Sequence, residues 1–302
     1  MSAPAIERSD ICAIVVTYFP KASCADNLVA LAPEVGRILI VDNGSGAAAF
    51  APVQAAAERL GATIMRLGRN LGIAAALNVG LKFAREQGLQ WIATFDQDSQ
   101  VTPGMVGEMT RALTSYPQPE RIAIVTPCHV DRHLGFTVRD RDNEAAGEGW
   151  RVIRSTMTSG NLLNVRIATA VGGFDDSLFI DYVDHDFCLR LRRHGYRILE
   201  ATRATLLHSL GAMERRLFLF KRVTVTNHGV VRHYYRARNR LIVWRRYKRY
   251  EPFWVIRDMR RFLFETVYVV LYEREVGAKL PMILRGLRDG MRDVRGPLTL
   301  GS

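Results

Sequence analysis

Five short apolar runs order the first 126 residues: ICAIVV (11–16), RILIVD (37–42), ATIMRL (62–67), WIATFD (91–96) and RIAIVT (121–126). Their apolar positions follow one another without strict alternation, the pattern of strands covered on both faces. Stretches with helical spacing separate them, roughly 23–31, 50–60, 73–87 and 104–115. This alternation predicts an α/β domain built on a doubly wound, mostly parallel sheet. Ligands of such sheets bind beyond the carboxyl ends of the strands. Thr17, Tyr18, Asp42, Asn43, Asp96 and Asp98 all fall at such ends.

From about 130 to 150 the chain is polar and irregular, which predicts a loop. Elements resume with STMTSGNLLNV. DHDFCLRLRRHG then reads as a helix stopped by Gly195, and YRILEATRATLLHSLG reads as strands. Residues 231–294 read mostly as helix, broken at Pro252 and Pro281. There Arg232, Arg236, Arg238, Arg240, Arg257, Arg260 and Arg261 are interleaved with Tyr234, Tyr235, Trp244, Tyr247 and Trp254. The expected division is a domain over 1–230 and a helical region over 231–302.

At 302 residues the chain can bury one large core with an appendage. With 48% hydrophobic and 24% charged residues it has a folded rather than disordered composition. A formal net charge of +12 points to anionic partners such as phosphorylated molecules or anionic lipids. Four scattered cysteines without CxxC spacing read as reduced thiols of a cytosolic protein. The first ten residues hold no apolar signal core, and no uninterrupted apolar run is long enough to span a bilayer.

The stretch TFDQDS places two carboxylates one residue apart where a strand ends. A solvated turn is one reading, since Asp is a common turn former. A bound divalent cation is the other: Mg²⁺ and Mn²⁺ favour carboxylate oxygens shared with water and substrate phosphate. A phosphatase aspartate is expected after the first strand of its domain, whereas this pair follows the fourth. GRNLGIAAALNVG lacks the GxGxxG spacing of a dinucleotide site. The basic and aromatic residues near the end accompany no nucleic-acid module, so no nucleic-acid partner is expected.

One ordered set carries more: VVTYFP (15–20), VDNGS (41–45), GRNLGIAAALNVG (68–80), TFDQDS (94–99), TSGNLL (158–163), GGFDDSLFIDYVDHDFCLRLRRHGY (172–196) and HYYRARNRL (233–241). Together these resemble glycosyltransferase family 2, in its rhamnosyltransferase branch, over most of residues 11–245. The resemblance implies a GT-A fold and inverting transfer of L-rhamnose from dTDP-β-L-rhamnose to a lipid-linked saccharide or glycolipid, with Mg²⁺ or Mn²⁺ as cofactor. It implies that Thr17, Tyr18, Asp42, Asn43, Arg69, Asn70, Gly72, Asn78 and Asp96 approach the nucleotide sugar. Asp98 and His208 would hold the metal, and Asp184 would be the catalytic base. Gly160, Gly173, Asp181, Arg238 and Asn239 would serve the acceptor. Most members read Glu-Asp before the base helix, where this chain has Val183-Asp184, so Asp181 and Asp186 stand as rivals. An N-cap on the following helix is the structural alternative for Asp184.

Arg and Lys among Trp and Tyr on helices also suit the inner face of the cytoplasmic membrane as an anionic attachment surface. The bland alternative is a packed helix with a solvated charged face. Two other functions stay open at this level: a family 2 enzyme with another donor such as a UDP-hexose, and a non-catalytic module that binds membranes or polyanions.

Overall fold

The computed structural model describes residues 6–131, 137–138, 144–208, 214–218, 221–225 and 227–299. It divides into two compact units, Met1–Asp176 with Val183–Ser209, and Ser177–Tyr182 with Leu210–Ser302. The division expected at residue 230 therefore differs in two ways. The second unit begins earlier, and it claims the short segment 177–182.

In the first unit, each apolar run becomes a strand and each helical stretch a helix. β1 (Ile11–Thr17), α1 (Ser23–Leu31), β2 (Arg37–Asp42), α2 (Ala47–Leu60), β3 (Thr63–Arg66), α3 (Ile73–Glu86) and β4 (Trp91–Asp96) alternate along the chain. The short β5 (Gln100–Val101) precedes α4 (Met105–Ser115) and β6 (Ile122–Asp131). β1 is buried at all seven positions. Ile11, Ala13 and Val15 pack into a core with residues of α1, α2 and α4. Ile14 meets Gly80 of α3 on the opposite face, so closely that a Cβ there would lie 2.4 Å from Ile14 Cγ2. The strand pattern therefore reports a sheet covered on both sides.

Strands β3, β2, β1 and β4 lie in that order and are parallel. Next comes β10 (Asn161–Asn164), antiparallel to both β4 and β6. Beyond it, β11 (Arg197–His208) runs parallel to β6. The expected parallel sheet is thus interrupted at β10, where the chain turns back through TSGNLLN, and the short β5 and the strands beyond β11 pair antiparallel as well. Part of the region read as a loop forms strands: β7 (Thr137–Val138) pairs with β6, and β8 (Ala145–Gly147) pairs with β9 (Trp150–Ile153). Residues 132–136 and 139–143 of that region lie outside the described residues. α5 (Val165–Ala170) begins after Asn164, whose Oδ1 caps the Ile167 N–H. α6 (Val183–Arg193) ends before Gly195, at φ 82°. The four cysteines are free thiols.

The second unit contains the hairpin β12 (Glu214–Phe218) and β13 (Lys221–Val225), then α7 (Val230–Tyr247), α8 (Pro252–Tyr272) and α9 (Val276–Met291). Pro252 starts α8, where a missing N–H costs nothing. Pro281 does not break the chain as expected; it sits inside α9. The break falls instead at Glu275, which adopts φ 58°. A proline six residues into a helix removes only a bond back to the first turn, and packing outweighs it. α7 and α9 approach closely. A Cβ on Gly286 would stand 2.4 Å from the Tyr234 carbonyl oxygen, and one on Gly290 would stand 2.8 Å from that of Arg238. No helix among the described residues is long and apolar enough to cross a membrane.

Candidate functional site

The strand ends of the first unit gather the predicted donor-side residues. Asp42 ends β2 with its carboxylate fully buried. It accepts from Thr17 Oγ1 at 3.2 Å, from the Ser45 N–H at 3.2 Å and from Arg66 Nε at 3.3 Å. Arg66 also donates to the Ser45 carbonyl at 2.7 Å. Thr17 and Asp42 thus face each other inside the strand ends. Tyr18 and Phe19 are the exposed groups there, at 46% and 54%, with rings 4.9 Å apart edge to face. Phe19 holds φ 45°, and its N–H donates to Ser45 Oγ at 2.8 Å.

Asn43 organises the next loop. Its Nδ2 donates to Asn70 Oδ1 at 3.1 Å, and its Oδ1 accepts from the Leu71 N–H at 2.8 Å. Asn70 Oδ1 also accepts from the Gly72 N–H at 2.9 Å, one residue before α3. Gly44, at φ 92°, lets the two loops touch, because a Cβ there would lie 2.5 Å from the Arg69 carbonyl carbon. Arg69 is exposed, and its guanidinium has no acidic partner among the described residues. Asn78, expected near the nucleotide, is engaged elsewhere. It lies within α3 and spends its carboxamide on the 172–176 turn, donating to the Phe174 carbonyl and accepting from the Phe174 N–H, both at 2.8 Å. It also donates to Asp176 at 2.6 Å. Gly173, expected at the acceptor, makes that turn at φ 67°.

The acidic pair sits on a braced turn. Asp96 is half-buried and Asp98 exposed. The Asp96 N–H donates to Ser159 Oγ at 3.0 Å, and Ser159 Oγ lies 2.6 Å from Ser99 Oγ. The Gly160 N–H donates to the Thr94 carbonyl at 2.6 Å, and Thr94 Oγ1 donates to the Thr158 carbonyl at 2.5 Å. The motif TSG therefore underpins the motif TFDQDS. Gly160 acts in this brace, and nothing among these contacts turns it toward an acceptor. The middle residue, Gln97, bonds both main-chain polar groups of Tyr18. The turn and its neighbours Asn27 and Cys24 line a small recess. Burial, with the Asp98 charge, pushes the Cys24 thiol up to about 12.

Two carboxylates at one strand end form an oxygen-only donor set, which fits Mg²⁺ or Mn²⁺ better than a softer metal. No cluster of three or more His, Cys, Asp or Glu stands ready for a metal among the described residues. The remaining ligands would come from water and substrate phosphate. β11 pairs Leu207 with Gln100, so one further residue along both strands sets the His208 backbone opposite Ser99. The His208 side chain lies outside the described residues.

Asp184 occupies the first turn of α6 and accepts from the His185 N–H at 2.8 Å, as a helix-start carboxylate does. It also borders a small recess with Thr94, Thr158, Asn161, Phe174 and Phe187. Its rivals are engaged elsewhere. Asp186 is fully buried and paired with Arg190 at 3.0 Å. Asp181 belongs to the second unit, where Arg232 grips both its oxygens at 3.1 Å.

In that second unit Arg238 and Asn239 are fully buried, so the acceptor contact expected of them finds no exposed group. Asn239 Nδ2 donates to the carbonyls of Leu178, Ile180 and Asp181 at 2.8–2.9 Å. Arg238 donates to those of Ser177 and Leu178 at 3.3 and 3.1 Å. Phe179, Asp181 and Tyr182 all have positive φ, and this clamp holds the strained run. Tyr182 Oη donates to Asp258, which also accepts from Arg240 and Trp244.

The family model of Glycosyl transferase family 2 matches residues 22–165. The chain is 27% identical to the dTDP-rhamnosyl transferase RfbF of Shigella flexneri, over 96% of this chain and 98% of that one. Among solved structures it is similar to S. aureus TarS 1–349 in complex with UDP-GlcNAc: TM-score 0.62, 14% identity, 94% of this chain and 81% of that one. In a longer TarS structure it spans 36% of that chain, at TM-score 0.51 and 17% identity. The mannosyltransferase PcManGT of Pyrobaculum calidifontis, in complex with GDP-Man and Mn²⁺, matches at TM-score 0.53 and 14% identity, over 96% of this chain and 76% of that one.

Proposed function

We propose that the chain is a family 2 glycosyltransferase, a reading supported by the family match over 22–165 and the similarity to RfbF, and that it transfers L-rhamnose from dTDP-L-rhamnose to a hydroxyl of a lipid-linked saccharide or glycolipid, with inversion. Near full-length similarity to a protein named as a dTDP-rhamnosyl transferase supports this donor. The biological setting is bacterial surface-glycan assembly, O-antigen or rhamnolipid, at the inner face of the cytoplasmic membrane. Residues 231–302 are the attachment region.

The observation that carries the mechanism is the position of Asp184. It is half-buried at the start of α6 with no arginine partner among the described residues, whereas Asp181 and Asp186 are tied to arginines. Asp184 takes the proton from the acceptor hydroxyl as that oxygen attacks the anomeric carbon. The bond from that carbon to the diphosphate oxygen breaks on the opposite side, and dTDP leaves. Positive charge develops on the sugar ring, as in glycosyl chemistry generally. Arg69, exposed at the loop that Asn43 and Asn70 fix, meets the growing negative charge on the leaving group. Tyr18 and Phe19 offer aromatic surface to the base. Asp98, with Asp96 through water and His208, would hold the divalent cation; when bound, it neutralises the diphosphate. Separating the two carboxylate roles lets the donor be held before the acceptor enters.

The test is transfer from dTDP-rhamnose into a panel of lipid-linked acceptors with Mn²⁺, read by mass spectrometry. A mass gain of one deoxyhexose supports the reading. Transfer only from another nucleotide sugar overturns the donor.

A further inference from the structure

Helix α8 is apolar on two opposite faces, and its own unit covers only one. Trp254, Val255 and Val269 are buried on the inner face, with Asp258. On the outer face Phe253 is 81% exposed, Leu263 64%, Ile256 55% and Leu271 54%. Met259, Phe264 and Val270 are exposed as well. Steps of three and four residues keep these side chains on one stripe along the helix. Twenty-one residues make that stripe about 30 Å long. Scattered apolar residues on a surface need no explanation, but a continuous stripe does.

Charge identifies the occupant. Arg257 and Arg260 are exposed beside the stripe, and Lys248 and Arg249 are exposed at the corner before it. The only acids of α8, Asp258 and Glu265, lie on the inner side, bonded to Arg240. The outer face is therefore apolar and cationic with no acid of its own. A second copy of this chain seated there would set arginine against arginine, on a protein already at +12. An anionic lipid surface satisfies both features: apolar side chains enter the acyl boundary while arginines reach the headgroups.

We infer that α8 lies in the plane of an anionic bilayer surface, with the Phe253–Leu271 stripe inserted and Arg257 and Arg260 at the phosphates. This deepens the membrane-surface reading and rests on it for its purpose, but its test needs no donor or acceptor. Vesicles of phosphatidylglycerol with phosphatidylethanolamine, and vesicles of phosphatidylcholine, are floated with the full-length protein at low salt. Binding to the anionic vesicles alone is expected. Ile256→Glu with Leu263→Glu weakens it at least tenfold while the melting temperature stays unchanged, because both positions are exposed. Phe253→Ser, at the most exposed position, gives a milder loss and guards against misfolding of the double variant. No flotation of the wild type overturns the inference, as does undiminished flotation of the double variant. A lipid-free dimer in light scattering that the double variant abolishes also overturns it, by showing a second copy on the stripe. Flotation without rhamnosyl transfer sinks the proposed reaction and leaves the inference standing.

Discussion

Gln97 grips the main chain of Tyr18 with both ends of one carboxamide: Oε1 accepts from the Tyr18 N–H at 2.8 Å and Nε2 donates to the Tyr18 carbonyl at 3.2 Å. The residue between the two aspartates thereby ties the acidic turn after β4 to the aromatic loop after β1. Asn27 secures the same turn by donating to the Gln97 carbonyl at 3.0 Å. Geometry at the acidic pair proposed to hold the cation and at the aromatics proposed to face the base is thus shared through one side chain.

Gln97→Ala should loosen both loops together. Two lost hydrogen bonds at about 1 kcal/mol each correspond to roughly a thirtyfold weaker hold on the donor. Steady-state kinetics should show the loss mainly in KM for the nucleotide sugar, with kcat changed less.

Asp184 and Asp186 should separate cleanly by substitution. Asp184→Asn removes the proton acceptor, and transfer should fall at least about a thousandfold while dTDP binding by calorimetry stays near the wild-type value. Asp186→Asn takes the buried carboxylate away from the half-buried Arg190, so its main effect should be a loss of about 3 kcal/mol in denaturant unfolding. Wild-type turnover by Asp184→Asn would refute the base assignment.

Asn239 should act as a donor to backbone rather than as an acceptor-binding group. Asn239→Ala removes a donor shared by three main-chain carbonyls in the 177–182 run, of which Leu178 keeps Arg238, and should cost about 2 kcal/mol of stability. Asn239→Asp should not rescue it, since an ionised carboxylate has no N–H to offer. Chemical denaturation of both variants is the measurement.

Acid should weaken the second unit in two stages. Burial, then the charges of Arg236 and Arg232, hold the His228 imidazole down at about 3, from an ordinary 6.5. Glu273 is opposed by burial, but hydrogen bonds with His233 and Lys279 bring it down to about 2, from 4.5. Both folded values are depressed, so the unfolded chain takes up protons first and stability drops as pH falls. Thermal melts should decline from about pH 6.5 through the His228 effect and more steeply below about 4.5 through Glu273. His228→Asn should flatten the upper stage alone.

Metal and nucleotide should stabilise the fold jointly. A ligand that binds only the folded state raises the melting temperature. The shift with dTDP should exceed that with UDP and grow further with Mn²⁺. Asp98→Asn should keep the nucleotide shift and lose the increment from the metal.

Much of the first unit is written locally. Strand ends at Thr17, Asp42 and Asp96 fall where the apolar runs stop, and α1 spans the stretch that the spacing indicates. Burial on both faces leaves its mark in consecutive residues, so one-dimensional pattern suffices. The order TYFP, VDNGS, FDQDS and VDHDF likewise carries the resemblance to glycosyltransferase family 2, and FDQDS puts the acidic pair at the end of β4. Gln97, Ser159 and Arg66 carried no such mark. Their roles come from partners 79, 63 and 24 residues away.

The sequence by itself determined the alternation of strands and helices, the carboxylates at the strand ends and a strongly cationic C-terminal region. Tertiary structure decided how those groups are used. It buried Arg238 and Asn239 against the backbone of 177–182, engaged Asp181 and Asp186 with arginines, carried α9 through Pro281 and left one apolar face of α8 in the open. The reason is physical: periodicity is set by neighbours three or four residues away. Whether a charged side chain meets water, an opposite charge or a carbonyl depends on segments that only folding brings together.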